Sequence, residues 1–330
     1  MEALLRVKDL SIDIHRGKQV FSSVEGISFD VFPGEILGIV GESGSGKTLT
    51  ALSIPGLLGE NKKTSSGSIL YNPGDAPEMD LLSLSPAEME KLRGKEISMI
   101  FQESHSALNP LLRAGAQIAE ALQLHSGENM NKGRINAQAR ELLKRLKFAD
   151  PERVMNTWPH RLSGGMCQRV MIAIAVICQP RLLVADEPTT ALDQNTQDEI
   201  AELLKEINRE FSTSILFISH DISLIRRLCG RVLVMYSGRI LEEGDTEEVF
   251  SHPAHEYTRG LLASIPSEEA KGKDLISISG KIPSLEEGRP GACPFHPRCG
   301  KALPECGKEF PPEKIIADNH KTRCILGAAE

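Results

Sequence analysis

The chain has 330 residues and a formal net charge of −7, and 40% of its residues are hydrophobic. This length predicts one large domain with an extension, and the acidic balance argues against a nucleic-acid partner. The longest apolar stretches are far too short to cross a bilayer, and the N-terminus lacks the features of a signal peptide. We therefore expect a cytoplasmic protein.

A glycine-rich loop lies between a predicted strand and a predicted helix. The apolar run 36–40 reads as a buried strand, and residues 41–48 fit the pattern G-x-x-x-x-G-K-[ST] before a helical segment. Backbone N–H groups of such a loop bind phosphate oxygens, and the helix N-terminus adds partial positive charge. The predicted phosphate-binding residues are Gly41, Ser43, Gly44, Ser45 and Gly46. Lys47 is expected to reach the β- and γ-phosphates, and Thr48 to hold Mg²⁺.

The alternative for this loop is a Gly/Ser-rich turn before an ordinary helix, which the strand on its other side disfavours.

The pattern from about 102 to 161 is helical, most clearly at 117–122 and 139–146. Ser163, Gly164 and Gly165 then open another helix, in which Ser163 is a good N-cap and the glycines expose backbone N–H groups. A plain capped helix has the same pattern, so these residues alone leave the role of the segment open.

A second chemical motif follows a continuous apolar run at 182–185, which predicts a strand buried on both faces. The run ends in Asp186 and Glu187, at the strand end where open α/β sheets bind ligands. Asp186 is suited to hold Mg²⁺ through water, and Glu187 to act as general base on the attacking water. Adjacent acidic residues are usually solvated. This prediction therefore depends on the apolar strand before them and on their position after Lys47 in the chain. Another strand-like run, 214–219, ends at His220.

The glycine-rich loop, the pentapeptide Leu162-Ser163-Gly164-Gly165-Met166 and the acid-ended strand together resemble the ATP-binding cassette (ABC) ATPases. The resemblance covers roughly the first 250 residues. It implies an α/β P-loop NTPase cassette, with an antiparallel β subdomain and an inserted helical subdomain at about 103–165. It also implies that the signature Ser163–Gly165 binds the γ-phosphate of ATP held by the other subunit, so that two subunits sandwich two ATP molecules.

Four single residues resemble further marks of that family. Gln102 corresponds to the Q-loop glutamine near Mg²⁺ and the attacking water, and Asp193 to the D-loop. His220 resembles the switch histidine, which the family places at the γ-phosphate. Phe21 is our candidate for the ring that stacks on adenine, with an ordinary core position as the alternative.

Proline, glycine and charge increase from about His252 onward, so we predict a cassette at 1–250 and a loop-rich extension at 251–330. Four of the seven cysteines lie there, as Cys293-x5-Cys299-x6-Cys306-x17-Cys324. A metal held by their thiolates would stabilise a segment with little core of its own. Disulfides are disfavoured in a reducing cytosol. The cysteine spacing alone does not favour a zinc site over an iron–sulfur cluster, or the reverse.

The other three cysteines, Cys167, Cys178 and Cys229, are expected to be small buried hydrophobes. Cys167 follows the signature, near a helix N-terminus that could lower its thiol pKa and make it sensitive to oxidation. The interpretation that we favour is a neutral packing position.

The extension resembles the C-terminal region of the dipeptide and oligopeptide permease ATPases, through the segment 252–258 and through Cys293 with Pro297-Arg298-Cys299. That resemblance spans essentially the whole chain. It implies a [4Fe–4S] cluster on Cys293, Cys299, Cys306 and Cys324, with Zn²⁺ as the alternative.

The same resemblance implies the ATP-hydrolysing motor subunit of an importer at the cytoplasmic face of the membrane. Its expected partners are a second ABC ATPase (a paralogue or an identical copy), two transmembrane permease subunits and an external substrate-binding protein. Di- or oligopeptides are the favoured cargo. The alternatives are nickel complexes as cargo, or a soluble regulatory ATPase with a redox-sensing cluster.

Overall fold

The computed structural model describes residues 2–125, 130–190, 192–265, 278–282 and 291–327. The strands are β1 (Leu5–Arg16), β2 (Gln19–Val31), β3 (Ile36–Val40), β4 (Lys62–Tyr71), β5 (Met79–Asp80), β6 (Ile97–Ile100), β7 (Leu182–Asp186), β8 (Ser214–Ser219), β9 (Arg231–Tyr236), β10 (Arg239–Asp245), β11 (Lys314–Ala317) and β12 (His320–Thr322). The strands predicted at 36–40, 182–185 and 214–219 are confirmed.

The α-helices are α1 (Lys47–Ser53), α2 (Pro86–Leu92), α3 (Ser104–Ala107), α4 (Ala114–His125), α5 (Lys132–Arg145), α6 (Pro151–Met155), α7 (Gly164–Val176), α8 (Gln194–Phe211), α9 (Ile222–Leu228), α10 (Thr246–Ser251) and α11 (Glu256–Ala263). Short 3₁₀ turns occupy Leu81–Ser83, Pro159–Arg161, His296–Arg298 and Pro304–Gly307. In the part of the chain described by the structure, no helix is both long and apolar enough to span a membrane.

One compact unit consists of residues 32–35 and 83–218. Its strands β6, β7 and β8 are parallel, with β7 in the middle, and all five residues of β7 are buried. A strand buried on both faces needs a continuous apolar sequence, which is the pattern at 182–185. Helices α4, α5 and α7 pack on one another within this unit. The predicted helical segment 117–122 lies in α4, and 139–146 lies in α5 apart from Leu146, which is its C-cap.

The longest helix of this unit, α8, shows how sequence fixes a helix start and a buried face. Asp193 is its N-cap and accepts a hydrogen bond from the backbone N–H of Thr196 at 3.1 Å. Its buried face consists of apolar side chains at helical spacing, namely Ile200, Leu203, Leu204 and Ile207. Such a stripe buries one face of a helix and leaves the other to solvent.

The second compact unit consists of residues 2–31, 36–82 and 219–330. It contains an antiparallel sheet in the order β2-β1-β4-β5, and a group of strands in the order β11-β12-β10-β9-β3. In that group β3 pairs parallel with β9, and the other pairs are antiparallel. The C-terminal strand β12 pairs with β10, so the extension continues a sheet of this unit. The domain boundary at residue 250 stays a prediction.

A buried carboxylate connects the extension with strand β10. The Glu242 side chain is fully buried and accepts hydrogen bonds from the backbone N–H groups of Ala254 at 2.6 Å and His255 at 3.0 Å. The Thr258 hydroxyl donates a third bond, and Nε2 of the buried His320 lies 2.8 Å from the carboxylate. A buried charge is tolerated only with such a set of partners. Glu242 therefore joins α11 and β12 to β10.

Candidate functional site

The glycine-rich loop connects β3 to α1 in the second unit. A Cβ atom at Gly41 would lie 2.0 Å from the Met235 carbonyl oxygen, so the close approach of the loop to β9 requires glycine. Gly46 is the N-cap of α1 with a φ of +102°, and the helix begins at Lys47 as predicted. The loop residues Ser43 and Gly44 are exposed. The arrangement is a strand, an open loop and a helix N-terminus, a combination that suits an anionic ligand.

Lys47 is almost fully buried, and its ammonium group lies against the loop backbone. Its Nζ donates to the carbonyl oxygens of Gly41 at 2.7 Å and Glu42 at 3.0 Å, and lies 3.4 Å from Oγ of Ser45. Carbonyl oxygens are weaker partners for a cation than phosphate oxygens, because a phosphate oxygen carries negative charge and a carbonyl oxygen only a partial charge. A bound phosphate would therefore compete favourably for this ammonium group. Thr48, the predicted Mg²⁺ ligand, is exposed.

Glu187 follows β7 in the first unit and has a left-handed backbone, with a φ of +46°. Its backbone N–H donates to the Ile218 carbonyl at 2.9 Å. Its carboxylate accepts from Nε2 of Gln102 at 3.1 Å and from Oγ1 of Thr190 at 2.9 Å. The structure thus brings together two predicted catalytic residues. Strained backbone of this kind occurs at functional sites, where surrounding contacts hold it.

Thr190 begins the segment that resembles the D-loop, but its contact with Glu187, only three residues earlier, was not predicted. Its backbone N–H donates to the Glu187 carbonyl at 3.2 Å, so the chain turns back and brings the hydroxyl to the carboxylate. The sequence signal for this contact was the three-residue spacing between Glu187 and Thr190, just before the N-cap Asp193. Asp186, the predicted Mg²⁺ ligand, is buried at the end of β7.

The signature residues form the start of α7. Ser163 is exposed, and its Oγ accepts a hydrogen bond from the backbone N–H of Met166 at 3.3 Å, so the predicted N-cap is confirmed. A Cβ atom at Gly165 would lie 2.7 Å from Cγ2 of Thr196, because α7 and α8 approach closely here. The exposed Asp193 accepts from both the N–H and the hydroxyl of Thr196, and these hydrogen bonds lower its pKa.

Ser163, Gly164, Gly165 and Asp193 line one open cleft of the first unit. Three arginines that the sequence analysis did not select line the same cleft: Arg153, Arg161 and Arg169. Arginine side chains beside a helix N-terminus suit an anionic ligand. The same cleft also contains Asp150 and Glu199, and Glu199 pairs with Arg169, so its lining carries charges of both signs.

Two further predicted residues lie in the second unit. His220 directly follows β8 and is exposed, just before Asp221, which caps α9 by accepting from Ser223 N at 2.8 Å. Phe21 lies on β2, is half-buried, and has the Arg16 guanidinium 5.9 Å from its ring centroid. The ring is therefore not a fully buried core residue, and its stacking role stays a prediction.

Comparisons with known proteins agree along the whole chain. The family model for ABC transporters matches residues 24–190, and that for the C-terminal region of oligopeptide/dipeptide transporters matches residues 241–306. The oligopeptide transport ATP-binding protein AppD of Bacillus subtilis (strain 168) is 43% identical over 99% of this chain and 97% of its own length. The oligopeptide transport ATP-binding protein OppD of Escherichia coli (strain K12) is 43% identical over 96% of this chain and 93% of its own.

The chain belongs to the ATP-binding subunits of the oligopeptide and dipeptide ABC transporters. Among solved structures, it is similar to the dimeric, post-hydrolysis ATP-binding cassette MJ0796 bound to ADP and Pi, with a TM-score of 0.65 and 28% identity. That match covers 73% of this chain and 98% of the other. The predicted P-loop ABC cassette fold is confirmed.

The four cysteines of this ABC subunit's C-terminal extension line one small cavity, together with His255 and Phe295. Cys293, Cys306 and Cys324 are buried and Cys299 is half-buried. The Cys293 N–H donates to the Cys306 carbonyl at 3.0 Å. Burial raises the thiol pKa of Cys293 to about 11 and also raises that of Cys299. Among the residues described by the structure, no three His, Cys, Asp or Glu side chains are placed to hold a metal ion.

Of the remaining cysteines of the cassette, Cys167 and Cys229 are buried as predicted, and Cys178 is half-buried. Cys167 is fully buried with its Sγ 3.4 Å from the Pro159 carbonyl, and burial raises its thiol pKa. The direction is opposite to the lowered pKa that a helix N-terminus would produce, because burial disfavours the charged thiolate. Burial likewise raises the pKa of Cys178 to about 11, and the Sγ of Cys229 packs close to Gly38.

Proposed function

We propose that this chain is the ATP-hydrolysing motor subunit of an importer for di- or oligopeptides. The observation that carries the proposal is the similarity to oligopeptide and dipeptide transport ATP-binding proteins over nearly the full chain. The match includes the C-terminal extension. It favours peptides over a nickel complex as the cargo, and a transport motor over a soluble redox-regulated ATPase.

ATP and Mg²⁺ are expected to bind at the loop between β3 and α1. In this proposal the loop residues Gly41, Ser43, Gly44, Ser45 and Gly46 hold phosphates through backbone N–H groups. Lys47 neutralises the β- and γ-phosphates, and Thr48 and Asp186 hold Mg²⁺. Phe21 stacks on the adenine ring. The contacts of Lys47 and the exposure of Ser43 and Gly44 support this assignment.

Hydrolysis is assigned to Glu187 as general base on the attacking water. Gln102 shares a hydrogen bond with this carboxylate and positions it and the water, and His220 contacts the γ-phosphate. The Thr190 hydroxyl, which follows Glu187 in the chain, donates a second hydrogen bond to the same carboxylate. Two hydrogen bonds to Oε2 of Glu187 fix the orientation of its carboxylate.

The signature cleft is proposed to receive the γ-phosphate of ATP bound to a second ABC ATPase subunit, either a paralogue or an identical copy. Ser163, Gly164, Gly165 and Asp193 line that cleft with three arginines, which supports an anionic ligand. Two permease subunits would form the pore and an external binding protein would deliver the peptide. The chain would lie at the cytoplasmic face of the membrane as a peripheral subunit.

Co-purification tests this assembly. A tagged chain isolated from solubilised membranes is expected to carry a second ATPase and two permease subunits, identified by mass spectrometry. ATPase activity of the isolated chain should be low and should rise in the complex, because the signature acts on a neighbour's nucleotide. Full activity of a strictly monomeric chain at high dilution would contradict the shared-site model.

We further propose that Cys293, Cys299, Cys306 and Cys324 hold a [4Fe–4S] cluster. The support is that all four thiols line one cavity in a segment with few other core residues. The cysteine spacing does not distinguish this cluster from a single Zn²⁺. The cluster is preferred because the extension resembles that of the peptide-permease ATPases. The thiols would bind as thiolates, and the cluster would link the turns that carry them.

Replacing any one of these four cysteines by serine is expected to remove the iron, because serine is a poor ligand for it. The parent chain prepared without air should contain about four irons and the Cys306→Ser chain almost none, measured by metal analysis and visible absorbance. Cys178→Ser is the matched control and should retain its iron. One zinc and no iron in the parent chain would contradict the cluster but keep a structural metal.

A further inference from the structure

The C-terminal extension contacts the P-loop directly through Arg298. This residue ends the 3₁₀ turn His296–Arg298 and lies 256 positions after Glu42 of the loop. Nη1 of Arg298 lies 2.7 Å from Oε2 of Glu42, and Nη2 lies 3.2 Å from Oε1. Both carboxylate oxygens are bound by one guanidinium group, which is the strong and geometrically specific form of this ion pair.

The other hydrogen-bond donors of Arg298 are also used. Nε donates to the Ser279 carbonyl at 2.9 Å, Nη2 to the Ile278 carbonyl at 3.2 Å, and Nη1 to the Tyr236 hydroxyl at 3.3 Å. The Arg298 side chain is only 6% exposed. A guanidinium with five donors fits this set of acceptors, and a lysine with a single ammonium group does not.

An aromatic cluster fixes the base of the same turn. Phe295 packs against Tyr236 and Tyr257, with ring centroids 5.4 and 5.3 Å away. The Tyr257 hydroxyl accepts a hydrogen bond from the backbone N–H of Glu42 at 2.9 Å. Residue 42 is therefore held at two points, its backbone by Tyr257 and its side chain by Arg298.

These contacts act on the part of the loop that holds Lys47. The carbonyl oxygens of Gly41 and Glu42 are the ones that accept from Lys47 Nζ. A carboxylate in the phosphate-binding loop also repels an anionic ligand unless a cation neutralises it. Arg298 supplies that cation, so it acts on both the geometry of the loop and its charge.

We propose that Arg298 is a positioning residue for ATP, which orders the first part of the P-loop through Glu42 and cancels the negative charge of Glu42. The inference rests on the proposed function, namely that this loop binds Mg-ATP. The C-terminal extension then sets the affinity for ATP and not the rate of hydrolysis.

The test measures Mg-ATP binding to the full chain by calorimetry, in a Glu187→Gln background so that ATP is not consumed. Arg298→Met keeps the apolar stem of the side chain but removes all donors, and should raise the Kd at least about 10-fold, as for a truncated buried charge pair. Arg298→Lys should raise the Kd about threefold, because it keeps the positive charge but loses the two-point contact with the carboxylate. Lys301→Met, which removes a surface pair with Glu256 in the same extension, should leave the Kd unchanged.

A second change separates cancellation of the Glu42 charge from a general loss of stability. Adding Glu42→Gln to Arg298→Met removes the uncompensated charge, so it should recover most of the ATP affinity while the melting temperature stays low. With Glu187 restored and the transporter assembled, Arg298→Met should raise KM for ATP and leave kcat within about twofold.

An unchanged Kd in Arg298→Met would overturn the proposal. If that variant fails to fold, an unchanged Kd in Arg298→Lys overturns it instead. A parent chain that binds no Mg-ATP would refute the proposed function itself, which distinguishes the two failures.

Discussion

Replacing Glu187 by glutamine is expected to lower ATP turnover by the assembled transporter at least ~100-fold, the effect of losing a general base. Glutamine keeps the size of the side chain and can still accept hydrogen bonds from Gln102 and Thr190, but it cannot take a proton from water. ATP binding should therefore persist, and the closed ATPase dimer should accumulate. Steady-state phosphate release and size-exclusion chromatography with Mg-ATP measure the two effects.

Two controls define the result for Glu187. Lys47→Ala should lose both turnover and ATP-driven dimerisation, because the buried cation at the loop is gone. Glu202→Gln, on an exposed part of α8, should change neither. Near-normal turnover by Glu187→Gln in its proper complex would refute the assignment of this residue as the base.

Replacing Glu242 by alanine is expected to destabilise the second unit by about 3–5 kcal/mol, the cost of breaking a buried charge network from one side. The change leaves the N–H groups of Ala254 and His255 without their acceptor, and the partners Thr258 and His320 lose theirs. Chemical denaturation measures the loss. Faster hydrogen exchange at 254–258 and 320–322 would locate it.

Glu243→Gln is the matched control for Glu242. Glu243 is the next residue of β10, and its carboxylate pairs with Arg231 at 2.8 Å, with both side chains partly exposed. A partly exposed pair is expected to contribute less than the fully buried network of Glu242. Equal losses of stability in the two variants would show that burial of Glu242 is not what anchors the extension.

The local parts of the site were predictable from sequence because they depend on neighbouring residues. The strand and helix around the P-loop follow from apolar runs and glycines. The helix cap at Ser163 follows from a serine placed directly before a helical segment. The strand that carries Asp186 is equally local. The roles assigned to these residues in ATP binding and hydrolysis stay predictions for the experiments above.

The parts that escaped prediction depend on tertiary packing. The bridge from Arg298 to Glu42 joins residues 256 positions apart, and that from His320 to Glu242 joins residues 78 apart. No periodicity or motif signals such pairs. The cysteine spacing indicated a shared site but not its ligand, because zinc and iron–sulfur sites overlap in spacing.

The pairing of β12 with β10 has a consequence for shortened forms of the protein. It occupies the outer edge of β10 at Glu242, Glu243 and Gly244, while β9 occupies the inner edge. A fragment that stops near residue 250 would present that edge with unpaired backbone groups, and such edges recruit strands from other molecules. Self-association of a truncated cassette would then report a missing strand rather than the nucleotide-dependent dimer, so oligomeric state must be measured on the full-length chain.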